Sequence, residues 1–372
     1  MADKRPRRDC DRVLLLTILL LLGIGLIMVF SASFILAEEN WGDPYYFLKR
    51  QALWVTIGLI GLYLFSRIHY LKLKKLSLVI LVANFVLLGL VFTGFGSDLG
   101  TNATRWLVFG PVVLQPSEFS KLAFIIFTAA YMSSRRINIQ NTFTATVLPL
   151  AIASTALLMI ALQPDFGTSL VVMAGAALVV FFAGVPLTRA ASFSLAALPP
   201  LGYFMVQEDY RLQRIFTFID PWADASGSGY QIIQSLYALG PGYLFGSGLG
   251  RSRQKLFYLP EPQNDFIFAV IGEELGFIGA VAILLLYLIF TWRGFQIALK
   301  APDLFGSLLA AGITFVFVLQ VLLNVAVVTG SVPVTGINLP LISAGGSSVV
   351  FTLISLGILL NISRHTNDAK TI

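Results

Sequence analysis

The chain is nearly devoid of cysteine and histidine: Cys10 stands alone, and His69 and His365 are the two imidazoles in 372 residues. A single thiol excludes a disulfide framework and a cysteine-based metal site. Two histidines leave little for a histidine-centred one. Both read as solvated groups or lipid-headgroup neighbours, and Cys10 as an inert residue of the N-terminal tail. Charge is scarce as well. Lys, Arg, Asp and Glu make up 12% of the residues, about half of the ~25% of an ordinary soluble domain. Together with 57% apolar residues and a mean hydropathy of +0.83, that shortage excludes both a water-soluble globule and a disordered chain. No repeat of solenoid length is present. The run Gly246-Ser247-Gly248-Leu249-Gly250 has no Lys-Ser/Thr after it and no strand before it, which argues against a nucleotide loop.

Apolar runs of membrane-crossing length, roughly 20 residues, are plentiful. Ten are read: 13–33, 51–66, 76–94, 117–133, 143–162, 166–184, 188–206, 265–292, 304–329 and 345–362. The expected fold is an all-α polytopic membrane protein of ten transmembrane helices, one membrane domain over 1–372. Basic residues and Ser31-Ala32-Ser33 give the first run the look of a signal peptide. Its length is that of an uncleaved span.

Lys and Arg set the sidedness. With the N-terminus inside, 16 of the 25 basic residues fall on inner segments. The short outer segments and outer helix ends hold Lys49, Arg50, Arg105 and Lys121. The remaining five, Arg211, Arg214, Arg251, Arg253 and Lys255, lie in the single long connection, 207–264, between the seventh and eighth spans. Both tails, 1–12 and 363–372, are therefore cytoplasmic and the long loop is extracytoplasmic. The net charge of +6 is a topology signal and a contact with anionic lipid. It does not indicate nucleic acid. The long loop is rich in aromatic residues, and Tyr230, Ile233, Leu236 and Tyr237 recur at the spacing of a short helix lying at the membrane surface.

Ionisable groups within a bilayer are costly and mark functional sites, and here they gather on the outer side. Gln115-Pro116-Ser117-Glu118 opens the fourth span, and Lys121 follows at the spacing that puts both charges on one helical face. Gln163-Pro164-Asp165 opens the sixth span, with proline and an acid suited to a helix start. Asp165 reads equally as a cap and as part of a site. Asp265 stands where the long loop enters the eighth span, with Glu261 four residues before it. It reads as a helix cap or as a general base that the helix dipole keeps ionised. Helix N-termini facing one aqueous rim, with Arg105, Arg211, Arg214 and Lys255, suit a phosphorylated or pyrophosphorylated ligand.

Six motifs occur in order: Gln115-Pro116-Ser117-Glu118-Phe119-Ser120-Lys121; Gln163-Pro164-Asp165-Phe166-Gly167-Thr168; Gly229-Tyr230-Gln231-Ile232-Ile233-Gln234-Ser235; Leu259-Pro260-Glu261 with Asp265-Phe266-Ile267-Phe268-Ala269; Gly272-Glu273-Glu274-Leu275-Gly276; and Gly345-Gly346-Ser347-Ser348. The series resembles the SEDS family (shape, elongation, division and sporulation) over residues 13 to 364. Asp220-Pro221-Trp222-Ala223-Asp224 is more similar to its FtsW and SpoVE branch than to its RodA branch. The resemblance implies a peptidoglycan glycosyltransferase that polymerises lipid II at the outer face of the bacterial cytoplasmic membrane. It also implies a class B penicillin-binding protein as partner, beside other cell-division or elongation proteins. It puts the family's essential aspartate at Asp265, its Glu–Lys pair at Glu118 and Lys121, and an outer-loop arginine at Arg105. This chain departs from the pattern at Asn264, where most relatives have Thr, and at Ala344, where most have Tyr.

The expected chemistry is an inverting transfer from a polyprenyl-pyrophosphate sugar. Asp265 takes the acceptor proton. Arg105, Glu118, Lys121, Asp165, Arg211, Arg214, Gln234, Lys255 and Glu261 form the substrate side. No metal ligand set is assigned, and a divalent cation at the pyrophosphate stays open. A flippase for lipid-linked precursor and a non-catalytic scaffold are the alternatives. The clustering of polar groups on one side, with no path through the membrane, favours the enzyme.

Overall fold

The computed structural model describes residues 9–98, 103–110, 112–135, 137–139, 141–186, 188–189, 193, 209–256 and 258–366. Eleven α-helices are present among the described residues. They are α1 (Arg12–Trp41), α2 (Tyr46–Arg67), α3 (Leu71–Leu90), α4 (Pro116–Met132), α5 (Leu148–Leu162), α6 (Phe166–Phe182), α7 (Asp209–Ile219), α8 (Tyr230–Leu239), α9 (Ile267–Lys300), α10 (Leu304–Val328) and α11 (Gly346–Ser363). A π-helical turn, Phe143–Val147, leads into α5.

Among the described residues six helical stretches are long and apolar enough to cross a membrane: α1, α3, Phe143–Leu162, α9, α10 and α11; α6 is a shorter apolar helix. The protein is a multi-pass membrane protein. Nine of the ten expected spans coincide with helices. The seventh, 188–206, lies outside the described residues except at 188–189 and 193. The expectation of an all-α chain needs one correction. Strands β1 (Gly96–Ser97), β2 (Trp106–Phe109) and β3 (Val112–Leu114) form an antiparallel sheet in the order β1-β2-β3. At two to four residues each, the strands are too short for alternation to stand out from the apolar background.

Helix α4 is the centre of the bundle. It is buried on nearly every face, its polar first turns included, and packs against α3, α6 and α10. Helix α2 packs chiefly on α11, and α1 on α9. Exposed Leu53, Leu78, Val79, Leu288 and Trp292 form the peripheral surface that hydrocarbon wets.

Helix α9 is broken, and the break organises the long loop. Gly276 has φ 68° and ψ −170°, a conformation open to glycine and costly for other residues. The kink releases two N–H groups and two carbonyls from the helix ladder. All four are taken up by the loop: Phe277 N–H donates to Tyr243 O (2.8 Å) and Ile278 N–H to Leu244 O (3.1 Å). In return, Ser247 N–H donates to Glu273 O (2.9 Å) and Gly248 N–H to Glu274 O (3.0 Å).

The side chains complete the strap. The Glu273 carboxylate accepts from Arg253 N–H (2.7 Å) and from the Ser252 hydroxyl. The Glu274 carboxylate accepts from Ser31 Oγ (2.6 Å), Ser252 N–H (3.3 Å) and Lys255 Nζ (3.0 Å). The long connection is thus a folded element strapped to α9. It carries the short helix expected from Tyr230, Ile233, Leu236 and Tyr237, which runs Tyr230–Leu239. It also carries a second helix, α7, absent from the expectations although Leu212, Ile215, Phe216 and Ile219 recur at helical spacing.

Gly276→Ala should therefore destabilise the protein. A Cβ there would stand 2.3 Å from Gly246 N and 2.7 Å from Leu244 O, and the backbone conformation alone costs about 1–3 kcal/mol in a residue with a side chain. Thermal melting in detergent checks this. Gly23→Ala, where a Cβ meets nothing within 4 Å, should not lower the melting temperature and should raise it slightly, since alanine favours a helix interior over glycine by about 1 kcal/mol.

Candidate active site

Asp265 lies two residues before the start of α9. The N-cap of that helix is Phe266, and no side chain caps it. The reading of Asp265 as a helix cap is therefore not supported; its carboxylate is left for other chemistry. Its backbone is held from outside: three consecutive carbonyls accept hydrogen bonds from the far end of the chain. Ala344 N–H donates to Gln263 O (2.8 Å), Ser343 Oγ to Asn264 O (2.7 Å) and Asn324 Nδ2 to Asp265 O (2.8 Å). Gly336, at φ 69°, passes so close that a Cβ there would stand 3.6 Å from Asp265 Oδ2.

The half-buried carboxylate of Asp265 titrates higher than an ordinary aspartate. Burial pushes it up to about 6, and the charge of Glu261 adds to the rise. Arg105 and Arg214 oppose the rise, and Asp165 adds a smaller push upward. At about 6 the carboxylate is still largely ionised at neutral pH, and desolvation makes it a stronger base than an ordinary aspartate. The same electrostatics bring five of the expected residues into one neighbourhood: Asp265, Glu261, Arg105, Arg214 and Asp165. Arg105 stacks its guanidinium 4.6 Å over the Trp106 ring, and its buried Nε has no hydrogen-bond partner. Arg214 donates to Val334 O (3.2 Å), two residues before Gly336. Glu261, exposed and at φ 44°, accepts from Asn264 Nδ2 (2.7 Å).

Asp165 acts as a cap. It accepts from Thr168 N–H (3.2 Å) at the start of α6, and from Ser117 Oγ (2.8 Å) and Gln115 Nε2 (3.1 Å) on the α4 side. It is 4% exposed. Its oxygens are taken by protein donors, so its influence on a ligand is through charge. Pro164 precedes the cap and is not in the first turn as expected; Pro116 does open α4.

Glu118 and Lys121 make the expected i,i+3 ion pair, at 2.6 Å, with both side chains buried. The pair borders a cavity of about 30 Å³, near the volume of one water, lined also by Gln320, Thr352 and Ser355. Neither Glu118 Oε2 nor Lys121 Nζ has a partner in hydrogen-bonding geometry.

Lys255, expected on the substrate side, has its charge taken up within the protein. It is buried, paired with Glu274, and its Nζ stands 4.7 Å from the centre of the Phe34 ring. Burial of a loop lysine is set by an acid nineteen residues away on α9, which no local pattern signals. Gln234 is half-buried on α8. The side chain of Arg211 lies outside the described residues. Among the described residues no group of three or more His, Cys, Asp or Glu is arranged to hold a metal ion. The residues missed by the sequence are Asn324, Ser343 and Gly336. Ser343 stands two residues before a quoted motif; Asn324, inside a long apolar run, was the signal available.

The family model described as cell cycle protein, FtsW/RodA/SpoVE, matches residues 12–368. The chain is 46% identical to stage V sporulation protein E of Bacillus subtilis (strain 168), over 96% of this chain and 97% of that protein. It is 42% identical to the probable peptidoglycan glycosyltransferase FtsW of Trichlorobacter lovleyi, over 97% and 95%. Among solved structures it is similar to a chain of a peptidoglycan synthase complex, with a TM-score of 0.78 and 30% identity over 95% of this chain and 98% of that one. The rod shape determining protein RodA of Thermus thermophilus is similar too, with a TM-score of 0.71 and 28% identity over 96% and 98%.

The buried Lys255–Glu274 pair yields a test of the strap. Lys255→Met leaves Glu274 buried without its cation, a loss on the order of 3–5 kcal/mol, and should lower the melting temperature in detergent. Adding Glu274→Gln removes the stranded charge and should recover part of it. Equal melting of the single and double variants would refute the pairing as the cause.

Proposed function

The chain belongs to the FtsW/RodA/SpoVE family of cell cycle proteins, and from that membership we propose that it is a peptidoglycan glycosyltransferase. Its substrate is lipid II, polymerised into glycan strands at the outer face of the bacterial cytoplasmic membrane. The observation that carries the site assignment is the Asp265 carboxylate. It is free of any capping duty, half-buried, and within electrostatic reach of Arg105 and Arg214.

In the proposed reaction the 4-hydroxyl of the acceptor sugar attacks the anomeric carbon of the donor. Asp265 takes the hydroxyl proton, a contribution of typically ~10²–10⁴-fold. The bond to the polyprenyl pyrophosphate breaks on the opposite face, inverting the anomeric centre. Negative charge builds on the leaving pyrophosphate, where fixed cations are most effective. Arg105 and Arg214 are the cations that act on Asp265. Glu118 and Lys121 form a second, deeper charged group. The proposed partner is a class B penicillin-binding protein that cross-links the new strands; the likeness to a peptidoglycan synthase complex supports it.

The proposed topology is ten spans with both termini cytoplasmic and the strapped loop outside, supported by the 16-to-4 skew of Lys and Arg. A cysteine at Tyr258 should react with an impermeant reagent added outside intact spheroplasts, and one at Lys72 should not. Reaction of both would overturn the topology.

Purified protein with lipid II in detergent tests the activity, since there is no membrane for a flippase to work across. Asp265→Asn should remain folded and bind lipid II, while glycan synthesis falls at least ~10²-fold. The pH profile carries the same signature. A base whose conjugate acid titrates at about 6 is active only when deprotonated, so the rate should fall as pH drops through about 6. Arg105→Gln removes a cation that lowers this value and should move the acid limb to higher pH. Near-normal synthesis by Asp265→Asn would overturn the assignment.

A further inference from the structure

The carbonyls of residues 263, 264 and 265 each accept a hydrogen bond from chain that is 59 to 81 residues away in sequence. Two of the three donors are side chains. Asn324, 1% exposed on α10, uses one nitrogen for two carbonyls, Asp265 O and Ile337 O, both at 2.8 Å. Ser343, 2% exposed, accepts from Leu339 N–H (2.8 Å) and donates to Asn264 O (2.7 Å). Each therefore joins the Asp265 segment to the 337–344 segment. Gly336 adjoins this segment: a Cβ on it would stand 3.6 Å from Asp265 Oδ2, an ordinary contact distance. The loop itself does not hold Asp265 in this way. Its own strap ends at Lys255, and Glu261 is exposed.

We propose that Asn324 and Ser343 are positioning residues for Asp265: they fix the backbone from which the carboxylate reaches the acceptor hydroxyl, and they touch no substrate themselves. This rests on the reading of Asp265 as the general base. The physical ground is that a misplacement of about 1 Å in a reacting group is worth ~10²-fold in rate, while a buried side-chain donor leaves a backbone carbonyl only one position to occupy. Asn324 spans two loop segments with one amide, so its loss frees both together. The remaining buried oxygen, Asn324 Oδ1, has no hydrogen-bond partner, so both hydrogen bonds of this side chain are made by its nitrogen.

The experiment compares Ser343→Ala and Asn324→Ala in two backgrounds, the intact chain and Asp265→Asn, using purified protein in detergent with labelled lipid II. Melting temperature and lipid II binding are measured on each, and kcat is referred to folded protein. In the intact background both variants should lose kcat tenfold or more, with KM within about twofold. In the Asp265→Asn background the residual rate should not change further, because there is no base left to misplace. A merely structural role predicts the same fractional loss in both backgrounds, and that result overturns the proposal. So does an unchanged kcat in both variants while Asp265→Asn is inactive. An active Asp265→Asn protein would instead overturn the general-base reading on which the proposal stands. The two variants probe separate donors, so a folding failure in one leaves the other to decide.

Discussion

The exchange of hydrogen bonds at Gly276 is the interaction on which the outer half of the molecule depends. A helix interrupted in its middle leaves backbone groups unpaired, and in a water-poor setting each unpaired group costs several kcal/mol. Here the loop returns two donors and two acceptors for the two of each that the helix gives up. The kink is therefore neutral in hydrogen bonds. Glu273 and Glu274 then find their partners in the same strap. Glu273 takes its donors from the strap, while Glu274 also accepts from Ser31 Oγ on α1. The break, the strap and the placement of the loop ahead of Asp265 form one construction.

On this scaffold two charged groups differ in kind. The Glu118–Lys121 and Lys255–Glu274 pairs are closed: each charge meets its opposite in a buried place. The Asp265 group is open. Its two carboxylates and two arginines act on one another through space, and the capping acid Asp165 adds its charge from α6. Closed pairs hold a fold in register. A set of mixed charges coupled through space can respond to a further charge brought beside it, as the proposed pyrophosphate-bearing substrate would bring.

Much of this was legible in the sequence where the cause is local. The i,i+3 spacing of Glu118 and Lys121 gave their pair, Asp165 carried the signature of a cap, and the spacing of Tyr230, Ile233 and Tyr237 gave α8. The tertiary consequences were not legible. Lys255 reads as a loop cation until Glu274 is folded beneath it. The titration of Asp265 depends on burial by segments that are remote in sequence, and the dipole argument saw only the helix beside it. Asn324 and Ser343 look like ordinary small polar residues, because their role appears only when residues 263–265 are brought against them. Strands of two to four residues lack enough alternation to be recognised among apolar neighbours.

The strap also imposes an order on biosynthesis. Residues 243–255 are made before residues 273–278, so every donor and acceptor of the strap exists before its counterpart in α9 does. At ~5–20 residues per second of translation, the interval is on the order of seconds, far longer than the microseconds in which a helix forms. During that interval the glycine-rich strap has no fixed partner, and its backbone must be served by water. The pairing of strap and kink can therefore form only once residue 278 has been made.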